Sequence, residues 1–310
     1  MTAPRISLNE ILPDVGCVAD AVRWACVLEV TAPKAGNVYP GRSFADLTFQ
    51  DFINAAEVAA HCFANPEGRF SEKVLQAVEQ TRQIAGTNVN LGITLLLGPL
   101  SHVAHQHATT HEPLNDPPND GPQNNRQMFS IIDWQKEIAV LLRSQDGEDA
   151  KRIFAAIRLA QPSGLGTAES MDVRSETMRS LDLIAAMRAA QNRDAVARQY
   201  ATDFAHLLVR VVPILKNTIE SVGDLLSGIT AAQIELLKRE PDTLIARKLG
   251  DAAARNVQSR ARQLDTLSTK TWQTFDRYLR SDANRLNPGA TADLIAAALF
   301  VLLIESASNP

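Results

Sequence analysis

Lysine, asparagine, glycine and carboxylate residues recur in this chain in short loops set against apolar stretches. Residues 28–38 read LEVTAPKAGNV, and residues 86–100 read GTNVNLGITLLLGPL. Glycine lets backbone approach a ligand closely, and exposed backbone N–H groups beside a cation suit phosphate. Lys34, Gly36 and Asn37 offer that combination in the first loop, where the same residues also make an ordinary helix C-cap. Asp46 follows in GRSFADLTF, either as a helix N-cap or as a carboxylate for Mg²⁺. Asn88 and Asn90 precede an apolar run, where they either cap a helix or meet a phosphate at its N-terminus.

Three later loops repeat the pattern. PSGLGTAESMDV carries Gly164, Gly166, Glu169 and Asp172; its paired carboxylates could ligate a metal or act as a base, or simply join two helices. In EPDTLIARKLG, Asp242 is placed as an N-cap, with Arg247 and Lys248 just over a turn later. NPGATADLIAA sets Asn287, Gly289 and Thr291 ahead of the last apolar helix, with Asp293 in its first turn. His102, His105 and His107 lie near one helix end, but the HExxH pattern is missing and no cysteine joins them, so they read as helix-end histidines.

Helices must position these loops. The apolar period is helical nearly throughout, and no run alternates with period two. Helices are expected over 46–64, 70–85, 91–107, 128–144, 147–160, 174–190, 193–208, 210–222, 230–239, 242–249, 251–280 and 291–306, after a first one with Asp14 at its N-cap. With aromatic residues at only 5% of the 310, the fold class is all-α, a bundle in a single domain over 1–310. The Pro- and Asn-rich stretch 109–126 is either a lid or a surface loop. The charge-rich segment 251–280 reads as a solvated face, partly a homodimer contact.

Composition narrows the partners. A net charge of −4 argues against nucleic acid, while a local basic pocket remains open. Cys17, Cys26 and Cys62 lack metal spacing and read as buried hydrophobes in a reducing compartment. The start of the chain has neither the charge nor the apolar run of a secretory signal, and the apolar run 294–304 is too short to span a bilayer. The protein is therefore expected to be soluble and cytoplasmic, with no membrane partner.

Six blocks, LEVTAPKAGNV, GTNVNLGITLLLGPL, GLGTAESMDV, DAVARQY, PDTLIARK and NPGATADL, occur in an order that resembles the triphosphoribosyl-dephospho-coenzyme A synthase family, above all its archaeal-type branch. The resemblance runs from about residue 14 to 306. It implies an all-α transferase in which a ribose hydroxyl of dephospho-CoA attacks the anomeric carbon of ATP and adenine leaves, with Mg²⁺ accompanying the triphosphate. It also implies site roles: Lys34 and Arg247 for phosphate; Asp46, Glu169 and Asp172 for base work, with Asp46 and Glu169 as Mg²⁺ ligands; Asn88 for ribose or phosphate. Gly36, Asn37, Asn90, Gly164, Gly166, Asn287 and Gly289 complete the nucleotide-binding set. Two departures stand out. Arg42, Ser43 and Phe44 replace a stretch with a histidine, and Val89, Asn90 and Leu91 replace Thr-His-Lys. Two other readings share these loops: the same transfer to another acceptor, such as a pterin-type cofactor precursor, or nucleotide binding without catalysis.

Overall fold

The computed structural model describes residues 5–87, 89–110, 130–160, 182–264 and 269–307. Among them the fold is all-α, with no strand. The helices are α1 (Leu8–Ile11), α2 (Val18–Thr31), α3 (Phe49–Phe63), α4 (Phe70–Ala85), α5 (Leu91–Thr110), α6 (Ile131–Arg143), α7 (Gly147–Ala160) and α8 (Leu183–Ala190). The second half holds α9 (Ala195–Ala201), α10 (Val212–Val222), α11 (Leu225–Arg239), α12 (Thr243–Leu249), α13 (Asp251–Arg262), α14 (Thr269–Arg280) and α15 (Gly289–Ala307). A 3-10 turn covers Leu12–Asp14, and a π-helix covers Leu207–Val211.

The architecture is organised around α15. Its apolar residues surround the whole helix, and small residues at Ala296, Ala297 and Ala298 let neighbours come close. Helices α2, α5, α9, α10, α11 and α12 all pack on it. By length and composition α15 could cross a membrane, but it is mostly buried inside the protein. The main core runs from Phe63 and Phe70 through Leu96 and Trp134 to Phe300, with Trp134 and Phe300 meeting edge to face at 6.3 Å. A smaller core joins Ala35 to Leu237, Ile245, Val257, Phe275 and Leu279.

Proline placement explains two irregularities. Pro99 lies inside α5 and has no N–H to donate to the Leu95 carbonyl. The buried Tyr200 hydroxyl donates to that carbonyl instead, at 2.7 Å, and this fixes α9 against α5. Pro213 likewise cannot donate to the carbonyl of Val209, and the turn before it opens into the π-helix. The expected helix 193–208 is therefore interrupted: it stops at Ala201, Asp203 and Phe204 take positive φ (49° and 60°), and the π-helix follows. Gln199 bridges the break, its Oε1 accepting from the Leu207 N–H at 2.9 Å.

Other expectations are corrected. The first long helix begins at Val18, with Asp14 closing the 3-10 turn rather than capping α2. Thr48, not Asp46, caps α3, in a reciprocal box with Asp51. The segment 251–280 is two helices, because α13 ends at Arg262. Nor is it only a solvated face: Phe275, Asp276 and Leu279 of α14 are buried. Cys17 is exposed and donates to Asp20; Cys26 and Cys62 are buried.

Asp242 clasps two helix N-termini. Its Oδ1 accepts from the N–H groups of Leu244 and Ile245 in α12 at 2.9 and 3.1 Å. Its Oδ2 accepts from the N–H and the hydroxyl of Thr291 in α15, both at 2.8 Å. Removing a cap costs about 1 kcal/mol, so Asp242→Ala should destabilise the fold by about 2 kcal/mol in urea unfolding; an unchanged midpoint would refute the double cap. A second test uses pH. Burial near the C-terminal end of α15 pushes the Glu305 carboxyl from its ordinary 4.5 up to about 7. The folded state then holds the proton more tightly, so stability falls as pH rises from 4.5 to 7 and stays lower above. Because Glu305 is partly exposed, Glu305→Gln should gain on the order of 1 kcal/mol over the natural chain at pH 8 and nothing at pH 4.5; an equal gain at both would sink the assignment.

Candidate functional site

A cavity of 1370 Å³ opens where the N-termini of α9, α12 and α15 converge with the loops at 37–47 and 86–92. Local chemistry explains the convergence. Asp194 caps α9 through Val196 and Ala197, both at 2.9 Å, and forms an ion pair with Arg247 of α12. The Ala195 N–H donates to Thr243 Oγ1 at 3.0 Å, tying α9 to α12 directly. Asp242 then ties α12 to α15. Positive helix ends and carboxylates thus face the same basin.

The first loop is built as a strut. Lys34 is fully buried and pairs with Glu29 at 2.9 Å, while its ammonium also donates to the backbone carbonyls of Glu29 and Ala32. It therefore stands behind the basin, closing the C-terminal end of α2, and Glu29 lines the cavity in front of it. Gly36 needs its positive φ of 75°, and a Cβ there would come within 2.8 Å of Leu279 Cβ. The Gly36 N–H donates to Asp276 at 2.8 Å; Asp276 pairs with Arg280, which donates to the Asn37 carbonyl. Asn37 reaches the basin wall, donating to Asn287 Oδ1 at 3.1 Å and accepting from Gln233 at 2.7 Å.

The other expected residues divide clearly. Asn37, Asp46, Arg247, Asn287 and Gly289 line the cavity, Asp46 from its exposed rim. Lys34, Gly36 and Asn90 do not line it; Asn90 is buried and turned to the Ala55 carbonyl at 3.5 Å. Asn88, Gly164, Gly166, Glu169 and Asp172 lie outside the described residues. A Cβ on Gly289 would sit 2.6 Å from Leu244, so this glycine lets α12 approach α15.

Sequence reasoning gave the carboxylates on the floor no role. Glu29 lay inside the first motif, Asp194 opened DAVARQY, and Asp293 was placed only in the first turn of the last helix. Asp293 is the most telling. It packs directly on Gly92, where a Cβ would lie 2.0 Å from its Oδ2. Burial, then the charges of Glu29, Asp242 and Asp194, push its carboxyl well above the usual range, with Arg247 opposing them. Cations complete the lining. Arg198 pairs with Glu240 at 2.5 Å, whereas Arg193 and Lys248 have no carboxylate partner among the described residues. Burial lowers the Lys248 pKa, while Asp242 and Asp46 oppose that shift. Cations without an internal partner beside helix N-termini suit a polyphosphate.

The sequence profile of ATP:dephospho-CoA triphosphoribosyl transferases matches residues 16–310. The chain belongs to that family. No curated protein sequence matches it. Its fold is similar to a solved structure from Archaeoglobus fulgidus, described as a candidate triphosphoribosyl-dephospho-CoA synthase, with a TM-score of 0.61 and 22% identity over 82% of this chain and 98% of that one. In this transferase the departing positions Phe44, Val89 and Leu91 line the cavity and bring apolar side chains to it.

The contact between Gly92 and Asp293 gives a direct test. Gly92→Ala places a methyl group on the carboxylate and should lower adenine release by about 100-fold, as small misplacements in active sites do, with the helical circular dichroism retained. Wild-type turnover in that variant would mean that the position of Asp293 is unimportant.

Proposed function

We propose that this family activity is carried out in the α9/α12/α15 basin, with Asp293 as the general base. The reaction joins a ribose hydroxyl oxygen of 3′-dephospho-CoA to the anomeric carbon of ATP and breaks the bond from that carbon to adenine. The proton leaves the hydroxyl for Asp293 and is returned to the departing adenine, so none is consumed overall. Arg193, Arg247 and Lys248 meet the triphosphate. Glu29, paired with Lys34, faces the positive charge that develops on the ribose in an oxocarbenium-like transition state. Phe44, Val89 and Leu91 offer apolar surface to a purine.

The observation that carries this reading is the placement of Asp293, packed on Gly92 and raised in pKa among other carboxylates. A base with a raised pKa is stronger once deprotonated, which suits proton removal from a hydroxyl. The family match favours dephospho-CoA over other acceptors and catalysis over binding alone.

The donor set also fits Mg²⁺. No group of three His, Cys, Asp or Glu side chains among the described residues could hold a metal. Mg²⁺ needs fewer, because it commonly binds through one or two carboxylates together with substrate phosphates. Glu29 would hold such an ion arriving with the nucleotide, with Asp46 at the rim, leaving Asp293 free for the proton. Bound there, the cation would neutralise triphosphate charge.

Pure protein incubated with Mg-ATP and dephospho-CoA should release adenine in step with a triphosphoribosyl adduct seen by mass spectrometry. Asp293→Asn should slow this by about 10²–10⁴-fold and leave ATP binding intact. In the natural chain, activity should rise with pH through the elevated pKa of Asp293, since only the carboxylate accepts the proton. An active Asp293→Asn variant with an unchanged pH profile would assign the base elsewhere.

A further inference from the structure

A second cavity, of 310 Å³, lies against the basin and shares with it Arg198, Glu240, Pro241, Thr243 and Ala290. Its character differs from that of the basin. Val209, Pro213, Ile214, Leu236 and Leu294 give it apolar walls, with Asn217 among them. Val209 is 58% exposed although it is a large hydrophobe, and it belongs to the π-helix that Pro213 imposes. Single-turn π segments are frequent at functional sites, and the positive φ values of Asp203 and Phe204 just before it add backbone strain there.

The seam between the cavities is cationic. Glu240 gathers Arg198 at 2.5 Å, His206 at 3.1 Å and Arg210 at 3.4 Å. Hydrogen bonding from His206, followed by that from Arg198, pulls the Glu240 carboxyl down to about 2, so one full negative charge faces at least two positive ones. Arg239 adds a further cation to the lining. A ligand crossing this seam needs a negative centre, and one that continues into the annex needs an uncharged, partly apolar tail.

Dephospho-CoA has that order of parts: adenosine, a diphosphate, then a neutral pantetheine arm with two amides and a gem-dimethyl group. ATP has no such tail. We infer that the annex is the acceptor subsite, holding the pantetheine arm while the diphosphate lies at the Arg198–Arg210 seam and the adenosine remains in the basin. This rests on the transferase reading above. The annex would thereby separate acceptor from donor, two adenine nucleotides that otherwise offer the basin similar groups.

Direct binding tests this without turnover. Calorimetry should give the natural chain a Kd for dephospho-CoA about tenfold or more below that for ADP, which carries the same adenosine diphosphate but no arm. Val209→Asn puts an uncharged polar group on an exposed wall of the annex and should reduce that difference, leaving the Kd for ADP unchanged. Ile214→Trp, which fills the annex instead, should do the same. Equal affinities in the natural chain, or variants that weaken both ligands alike or neither, would overturn the subsite. Adenine release by the natural chain is scored separately: its absence alongside an arm-dependent Kd would refute the reaction while retaining the subsite.

Discussion

The basin depends on one buried carboxylate held between two helix starts. Burial raises the pKa of Asp242, because desolvation disfavours its charge, yet four hydrogen bonds from α12 and α15 are there to meet it. Unsatisfied N–H groups at a helix N-terminus are costly when buried, and a single residue that satisfies two such ends fixes the angle between them. That angle places Arg247 and Lys248 on α12 opposite Asp293 on α15. Asp194 repeats the device on a smaller scale, capping α9 with one oxygen and pairing with Arg247 through the other. The site is thus assembled from helix ends, where the polypeptide already supplies partial positive charge.

Carboxylates crowded at those ends add to the effect of burial in raising the pKa of Asp293, and they differ in their partners. Lys34 is fully buried and pairs with Glu29 inside the protein, while also donating to backbone carbonyls. Glu29 consequently has an internal counter-ion. Asp293 has no hydrogen-bond partner among the described residues, and burial, then the neighbouring charges, raise its pKa. Burial and the neighbouring carboxylates raise the pKa of Asp293, and the proposed base role draws on that property.

Much of this architecture was legible in the sequence, for identifiable reasons. Apolar periodicity marks α4 and α7 because each buries one face, and near-continuous apolar runs mark α5 and α15, which lie inside the core. Asp242 after Pro241 reads as an N-cap, since capping is local; its second partner, Thr291, is 49 residues away and gives no local signal. Lys34 misled because lysine in a Gly-Asn loop suits either a phosphate or a helix end, and only burial distinguishes them. Asp293 was hidden for the opposite reason: an acidic residue in a first helical turn is ordinary, and its meaning comes from Gly92 on another helix. The break after Arg262 had no Gly or Pro to announce it, and Asp276 of the following helix gains its buried role only by reaching back to Gly36.

The departures at Phe44, Val89 and Leu91 also follow a physical pattern. They bring apolar side chains to the lining of the basin, while Arg193, Arg247 and Lys248 bring cations to it. Under the proposed function, such a lining would orient a nucleotide end to end: the triphosphate would meet the cations and helix N-termini, and the purine would lie against the apolar side chains, whose surface suits a flat, weakly polar ring. The anomeric carbon joining purine to sugar would then lie between the two, where the proposal gives Glu29 and Asp293 their roles. On that proposal the contrast between apolar and cationic lining, rather than a histidine or lysine at these positions, orients the donor.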